Sequence, residues 1–111
     1  MKILYRRSVQ ETIKAEGITA QEVTEALQAI QDAAAGKPKP LHRNQNIEAI
    51  RDTNLRWYRL KPKGAKYRIV FSLQRKQDTL TVEGIFRRDA STYRRIEQLY
   101  HATTDKTQAD L

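Results

Sequence analysis

The stretch LRWYRLKPKGAKYRIVFSLQRKQDTLTVEGIFRRDASTY, Leu55–Tyr93, decides the fold. It holds three short segments of alternating polarity, joined by turns, and closes on an arginine-rich run. In Leu55–Lys61 the alternation separates Arg56, Tyr58 and Leu60 from Leu55, Trp57, Arg59 and Lys61. Pro62-Lys63-Gly64-Ala65 reads as a turn. In Tyr67–Leu73 the apolar set Tyr67, Ile69, Phe71 and Leu73 takes one face and leaves Arg68, Val70 and Ser72 on the other. After a hairpin at Gln74–Asp78, Thr79–Arg87 places Leu80, Val82, Gly84 and Phe86 inward and Thr81, Glu83, Ile85 and Arg87 opposite. Period-two patterning of this kind predicts an antiparallel meander with one face covered.

The cover comes from upstream. Lys2–Arg6, with Ile3, Leu4 and Tyr5, reads as an opening strand. Ser8 is placed to cap a short helix through Glu16, with Glu11 completing a capping box. Val9, Thr12 and Ile13 face inward, and Gly17 ends the helix. Thr19 and Glu22 form the same device for a second helix, in which Val23, Ala26, Leu27, Ile30 and Ala34 recur at spacings of three and four. Gly36 and Lys37-Pro38-Lys39-Pro40 stop it. Between Gly36 and Asn54, Ile47, Ala49 and Ile50 fit either a turn of helix or an irregular strand, and Asp52-Thr53-Asn54 marks a turn into the meander. Asp89 or Ser91 can cap a last, short helix carrying Ile96, Leu99 and Tyr100. The expected fold is α+β: a short strand and an αα-hairpin packed on a three- to four-stranded antiparallel sheet, then a short helix. One domain over 1–102 and a polar, frayed tail over 103–111 complete the expectation.

Charge is concentrated where the sheet is. Between Arg56 and Arg95 stand twelve Lys or Arg against Asp78, Glu83 and Asp89, so this block carries +9 of a total of +8, the rest of the chain summing to −1. Such an imbalance asks for a polyanionic partner, nucleic acid first. The 111 residues contain no cysteine, which excludes disulfides and thiolate chemistry. His42 and His101 lie far apart, so no metal or other cofactor is expected. No run approaches the roughly 20 apolar residues of a membrane span, and the N-terminal run is too short for a signal peptide. A soluble, cytoplasmic protein is the expectation.

If the inward residues face the helices, Arg59, Lys61, Arg68 and Arg87 share the open face around Glu83. Guanidinium groups give bidentate contacts to phosphate oxygens, and fixed cations stabilise the charge that develops during phosphoryl transfer. With a ribose 2′-hydroxyl as nucleophile, RNA scission needs a proton acceptor, a proton donor and charge stabilisation. Lys63, Lys66, Arg88 and Arg94 extend the surface as further phosphate contacts, and Tyr93 can stack on a base. The plain alternative is a solvated sheet face whose charges prevent edge-to-edge association.

The residues also resemble a known family. LRWYRLKPKGAKYRIVFSLQ followed by LTVEGIFRRDASTY is similar to the RelE/ParE superfamily of toxins from bacterial type II toxin–antitoxin systems. The element order matches over about residues 3 to 95, and the specific motifs lie in 55–93. RelE-type toxins are mRNA interferases that enter the ribosomal A site and cut mRNA by attack of the 2′-hydroxyl, inhibiting translation. The resemblance implies a cytoplasmic, metal-independent endoribonuclease with mRNA, the ribosome and its rRNA, and a cognate antitoxin as partners. It places Arg59 and Lys61 at the two basic positions of the first meander strand and Arg68 at the transition-state arginine. Arg87 falls at the arginine that protonates the leaving oxygen, and Tyr93 at the stacking tyrosine. RelE has its proposed general base, a lysine, where this chain has Arg59, and arginine is a poor acceptor. Lys61 or Glu83 would then take that role. The loop GKPKPL resembles the GKPEPL loop of the YoeB branch, with Lys39 in place of the catalytic glutamate and no terminal histidine. Two alternatives stay open: a ParE-like inhibitor of DNA gyrase, and an RNA-binding module without chemistry.

Overall fold

A computed structural model describes residues 1–50 and 57–109, with 103–109 described by backbone alone. The expected turn at 52–54 and the expected strand residues Leu55 and Arg56 lie outside the described residues, as do 110 and 111. The elements are β1 (Lys2–Tyr5), α1 (Arg7–Ala15), α2 (Ala20–Ala34), β2 (Ile47–Ala49), β3 (Trp57–Leu60), β4 (Tyr67–Gln74), β5 (Thr79–Arg87) and α3 (Thr92–Ala109). The α+β class holds, but the sheet is mixed and five-stranded. Its order is β1-β5-β4-β3-β2, with β1 parallel to β5 and the other pairs antiparallel. Ile47–Ala49 is thus an edge strand, with Glu48 opposite Arg59.

Residues directly opposite one another in a ladder point to the same face. On the face toward α1 and α2 lie Tyr67, Ile69, Phe71, Leu80, Val82, Ile85 and Leu60, packed on Val9, Ile18, Ala26, Ile30 and Ala33. The stripe of α2 is rotated from the expected one: Ala33 is buried, while Leu27 is exposed. The other face is not open along its whole length. There α3 lays Ile96, Leu99 and Tyr100 on Trp57, Val70 and Phe86, with Trp57 and Tyr100 edge-to-face at 5.0 Å. Far from short, α3 has 18 residues, and its backbone is helical through most of the stretch expected as a tail.

A β-bulge decides which charges share a face. β4 and β5 pair as Tyr67 with Arg87, Arg68 with Phe86, Ile69 with Ile85 and Val70 with Gly84, but Phe71 then pairs with Val82. Glu83 is the extra residue. One inserted residue inverts the parity of everything beyond it. Strict alternation puts Ile85 and Arg87 on the α3 side. The bulge sends both toward α1 and α2 instead, and turns Gly84 and Phe86 the other way.

Helix α1 continues the sheet edge where β1 stops. Ser8 Oγ donates to the Glu83 carbonyl at 2.8 Å, Ile85 N donates to Thr12 Oγ1 at 3.1 Å, and Arg87 N donates to Glu16 Oε1 at 2.8 Å. Three side chains four residues apart, two on α1 and one on its C-cap residue, therefore satisfy the outer backbone edge of β5. This use of Ser8 replaces the expected capping box: the N-cap residue is Arg6, with no side-chain cap. The Thr19–Glu22 box, by contrast, is present. Close approach of α1 also explains Gly84, where a Cβ would stand 3.2 Å from Thr12 and 2.9 Å from the Phe86 ring.

Candidate functional site: a basic groove on the α3 side of the sheet

β2, β3 and β4 carry Glu48, Arg59 and Arg68 on the face that α3 only partly covers, because Glu48 is opposite Arg59 and Arg59 is opposite Val70. Lys61 follows β3 immediately. Glu48 Oε2 accepts from Arg59 Nη2 at 3.0 Å, and Glu48 Oε1 accepts from Lys61 Nζ. These contacts, Lys61 foremost, hold the Glu48 carboxyl below the usual range. Arg59 Nε is buried and finds no acceptor among the described residues. An open groove of about 620 Å³ is lined by Ile47, Glu48, Ala49, Arg59 and Tyr93.

Arg68 is half-buried, and its Nη1 donates to the Tyr67 carbonyl at 2.9 Å and the Ala65 carbonyl at 3.3 Å. Partial burial, then the charges of Arg88 and Arg59, depress its pKa from the ordinary guanidinium value. Arg68 therefore lies in the combined field of Arg59 and Arg88, with Glu48 as the opposing charge. Arg88 N donates to the Lys66 carbonyl at 2.9 Å, which brings the β3–β4 turn beside the end of β5. Lys66, Arg88 and Arg94 are exposed, and Tyr93 is 38% exposed. Lys63 lines a separate groove beside Ala33, Lys37 and Pro62.

Two expected members are absent from this surface. Arg87 is directed at α2: its Nη1 and Nη2 contact the Glu22 carboxylate at 2.5 and 2.6 Å, and Nη2 also donates to the Gly17 carbonyl at 2.7 Å. The bulge is the cause. Glu83 is 1% exposed and accepts from Arg6 Nε at 2.5 Å and Ser72 Oγ at 2.7 Å. A carboxylate enclosed in that way has no path to a ribose hydroxyl. The groove holds a different carboxylate, Glu48, and the β5-end cation that acts on Arg68 is Arg88, not Arg87. Sequence reasoning missed Glu48 because it lies in the weakly patterned region before the meander. Its one sequence signal is the alternation of Ile47 and Ala49 around it.

The turn between β5 and α3 is braced. Arg95 reaches Glu16 through Nε and Nη2 at 2.9 and 2.6 Å, Asp89 Oδ1 through Nη1 at 2.8 Å, and the Arg87 carbonyl through Nη2 at 3.1 Å. Thr92 Oγ1 donates to the Arg87 carbonyl at 2.6 Å, and Asp89 Oδ1 accepts from Ser91 N at 2.8 Å. Arg88 and Tyr93 therefore project from a fixed turn. Such pre-positioning lowers the ordering cost of binding a ligand.

The bracing predicts an acid limit to stability. Contact with Arg87 lowers the Glu22 carboxyl from 4.5 to about 2, and contact with Arg95 lowers Asp89 from 3.8 to about 2. A carboxyl depressed by folding stabilises the fold above its unfolded pKa and loses that contribution as pH falls through the folded one. Urea midpoints are expected to hold above pH 5 and decline as pH falls from about 4.5 to 2. Glu22→Gln should flatten part of that decline.

No family model matches the chain, and no curated protein matches it. Among the described residues, no helix is long and apolar enough to cross a membrane, and no three His, Asp or Glu converge as metal ligands. A smaller apolar cavity of about 240 Å³ lies on the helix side, lined by Leu41, Ile47, Tyr58, Phe71 and Leu73. Its lining is mainly apolar, with His42 and Arg75 at its margin, whereas Arg59 of the groove stands close to Lys61 and Arg68, so the groove is the better candidate for a polyanion.

Proposed function

We propose that the groove binds single-stranded RNA and cleaves it, and that the chain acts as a RelE-type toxin on mRNA at the ribosome. One observation carries the reading: Arg59, Lys61, Arg68 and Arg88 lie close together on the α3 side of the sheet around the exposed Glu48 carboxylate, with Tyr93 lining the same groove. In this reading Arg68 and Arg88 hold the scissile phosphate and stabilise its developing charge. Tyr93 stacks on a neighbouring base. The 2′-oxygen forms a bond to phosphorus, the P–O5′ bond breaks, and the products are a 2′,3′-cyclic phosphate and a 5′-hydroxyl. Lys61 is the donor to the leaving oxygen, since an ammonium gives up a proton far more readily than a guanidinium. A cognate antitoxin would supply acidic groups to the same basic face.

The position of Arg87 favours a second reading, an RNA-binding face without chemistry. The arginine that the family resemblance assigns to protonation of the leaving oxygen is paired with Glu22 on the opposite side of the sheet. Primer extension on cellular mRNA after induced expression separates the readings. Translation-dependent cuts are expected from the cleavage reading. Salt-sensitive binding without cuts supports the second, and supercoiling defects without cuts support gyrase inhibition.

A further inference from the structure

The cleavage reading leaves open which group accepts the proton of the 2′-hydroxyl. We infer that Glu48 is that acceptor, and that Lys61 and Arg59 hold it inactive until an RNA phosphate takes those two cations over. The inference rests on the cleavage reading of the same groove.

Several observations converge on it. Glu48 is the carboxylate that lines the groove, with its side chain 46% exposed on an edge strand, so a ribose can reach it. Both of its oxygens are occupied by cations that a phosphate would also bind, one by Arg59 and one by Lys61. Arg59 engages Glu48 through Nη2 alone, while its Nε is buried without an acceptor among the described residues. The carboxylate thus holds Arg59 through a single terminal nitrogen, a contact that a more highly charged phosphate can compete for. Lys61 and Arg59 keep the carboxyl below its usual range, which makes it a weak acceptor at rest. Transfer of either cation to a phosphate relieves that depression, so the acceptor becomes stronger only when substrate is present. Of the other groups near it, Arg68 of β4 is within electrostatic reach, Arg88 acts on Arg68, and Tyr93 of α3 lines the groove.

The proton count closes. Glu48 gains the 2′-hydroxyl proton, Lys61 gives one to the leaving 5′-oxygen, and the two side chains re-form their contact when product departs. A proton passing from Glu48 to Lys61 across that contact restores the starting state. No co-reactant is required.

The test uses the full chain, carboxyl-labelled at Glu, and a 2′-O-methyl RNA oligonucleotide that binds without being cut. Titration by NMR is expected to show the Glu48 carboxyl rising by about one unit or more when the oligonucleotide is bound. In the cleavage assay, Glu48→Gln is expected to slow cutting about 100-fold or more, while binding of the 2′-O-methyl RNA is unchanged or tighter. A Glu48 titration that does not move on binding overturns the masking. Wild-type cutting that persists in E48Q overturns the acceptor role and leaves the cleavage reading standing. If the wild-type chain cuts no RNA, the cleavage reading falls and the acceptor role falls with it. Glu48 lies at an exposed sheet edge, so E48Q is expected to fold; its urea midpoint checks this.

Discussion

Replacing Arg68 by alanine is expected to lower mRNA cutting about 100-fold or more, the usual loss when one fixed charge-stabilising donor is removed from a reacting centre. Arg87→Ala is expected to leave cutting per folded molecule within a few fold and to lower the urea midpoint instead. The contrast follows from the bulge. Arg68 stands among Arg59, Arg88 and Glu48, whereas Arg87 bridges Glu22 and the Gly17 carbonyl. Arg68 is also tied to two backbone carbonyls, so Arg68→Lys should recover little, because an ammonium cannot span carbonyls and phosphate in one plane. Comparable loss of cutting in R87A and R68A, at equal stability, would mean that the groove is misplaced.

The second large effect is on stability. Arg6→Met is expected to cost about 2–4 kcal/mol, because it strands the Glu83 carboxylate with Ser72 as its remaining partner. Removal of one member of a buried pair usually costs about 3–5 kcal/mol; the lower range applies because the Arg6 side chain is 43% exposed. Glu83→Gln keeps a group that can accept from Ser72 and lets Arg6 turn to water, so a loss of about 1 kcal/mol is expected. The double variant should recover part of the R6M loss, giving a coupling measurable by a mutant cycle. A change below about 1 kcal/mol in R6M, read from urea unfolding, would show that Glu83 is not held as described.

These two residues also mark the limit of what patterning can convey. The meander, the αα-hairpin and the Thr19–Glu22 cap follow from local rules, since each depends on residues within one turn or one hairpin. Tyr67, Ile69, Phe71, Leu80 and Val82 were legible as core for the same reason. The bulge was not. Nothing in TVEGIFR fixes where the ladder slips, and the slip depends on α1 reaching β5 through Ser8, Thr12 and Glu16. That single tertiary event exchanges Arg87 for Phe86 on the α3 face and buries Glu83.

β2 was ambiguous on its own because three residues carry little periodicity, and with it Glu48 went unseen. Arg59, Lys61 and Arg68 stayed where alternation put them, since β3 and β4 pair without interruption from Trp57 to Leu60. The open face was overestimated for another reason. Trp57, Val70 and Phe86 carry an apolar patch on that side, and α3 supplies the surface that covers it.

On the proposed reading, RNA phosphates are held by the cations on the α3 side of the sheet, Arg88 among them, and not by Arg87. The salt dependence of binding to an uncleavable single-stranded RNA tests this most directly. Removing one cation that touches a phosphate should reduce the slope of log K against log salt by about 0.7. That reduction is expected in Arg88→Ala, with Arg87→Ala retaining the wild-type slope. An unchanged slope in R88A together with a reduced slope in R87A would contradict the assignment.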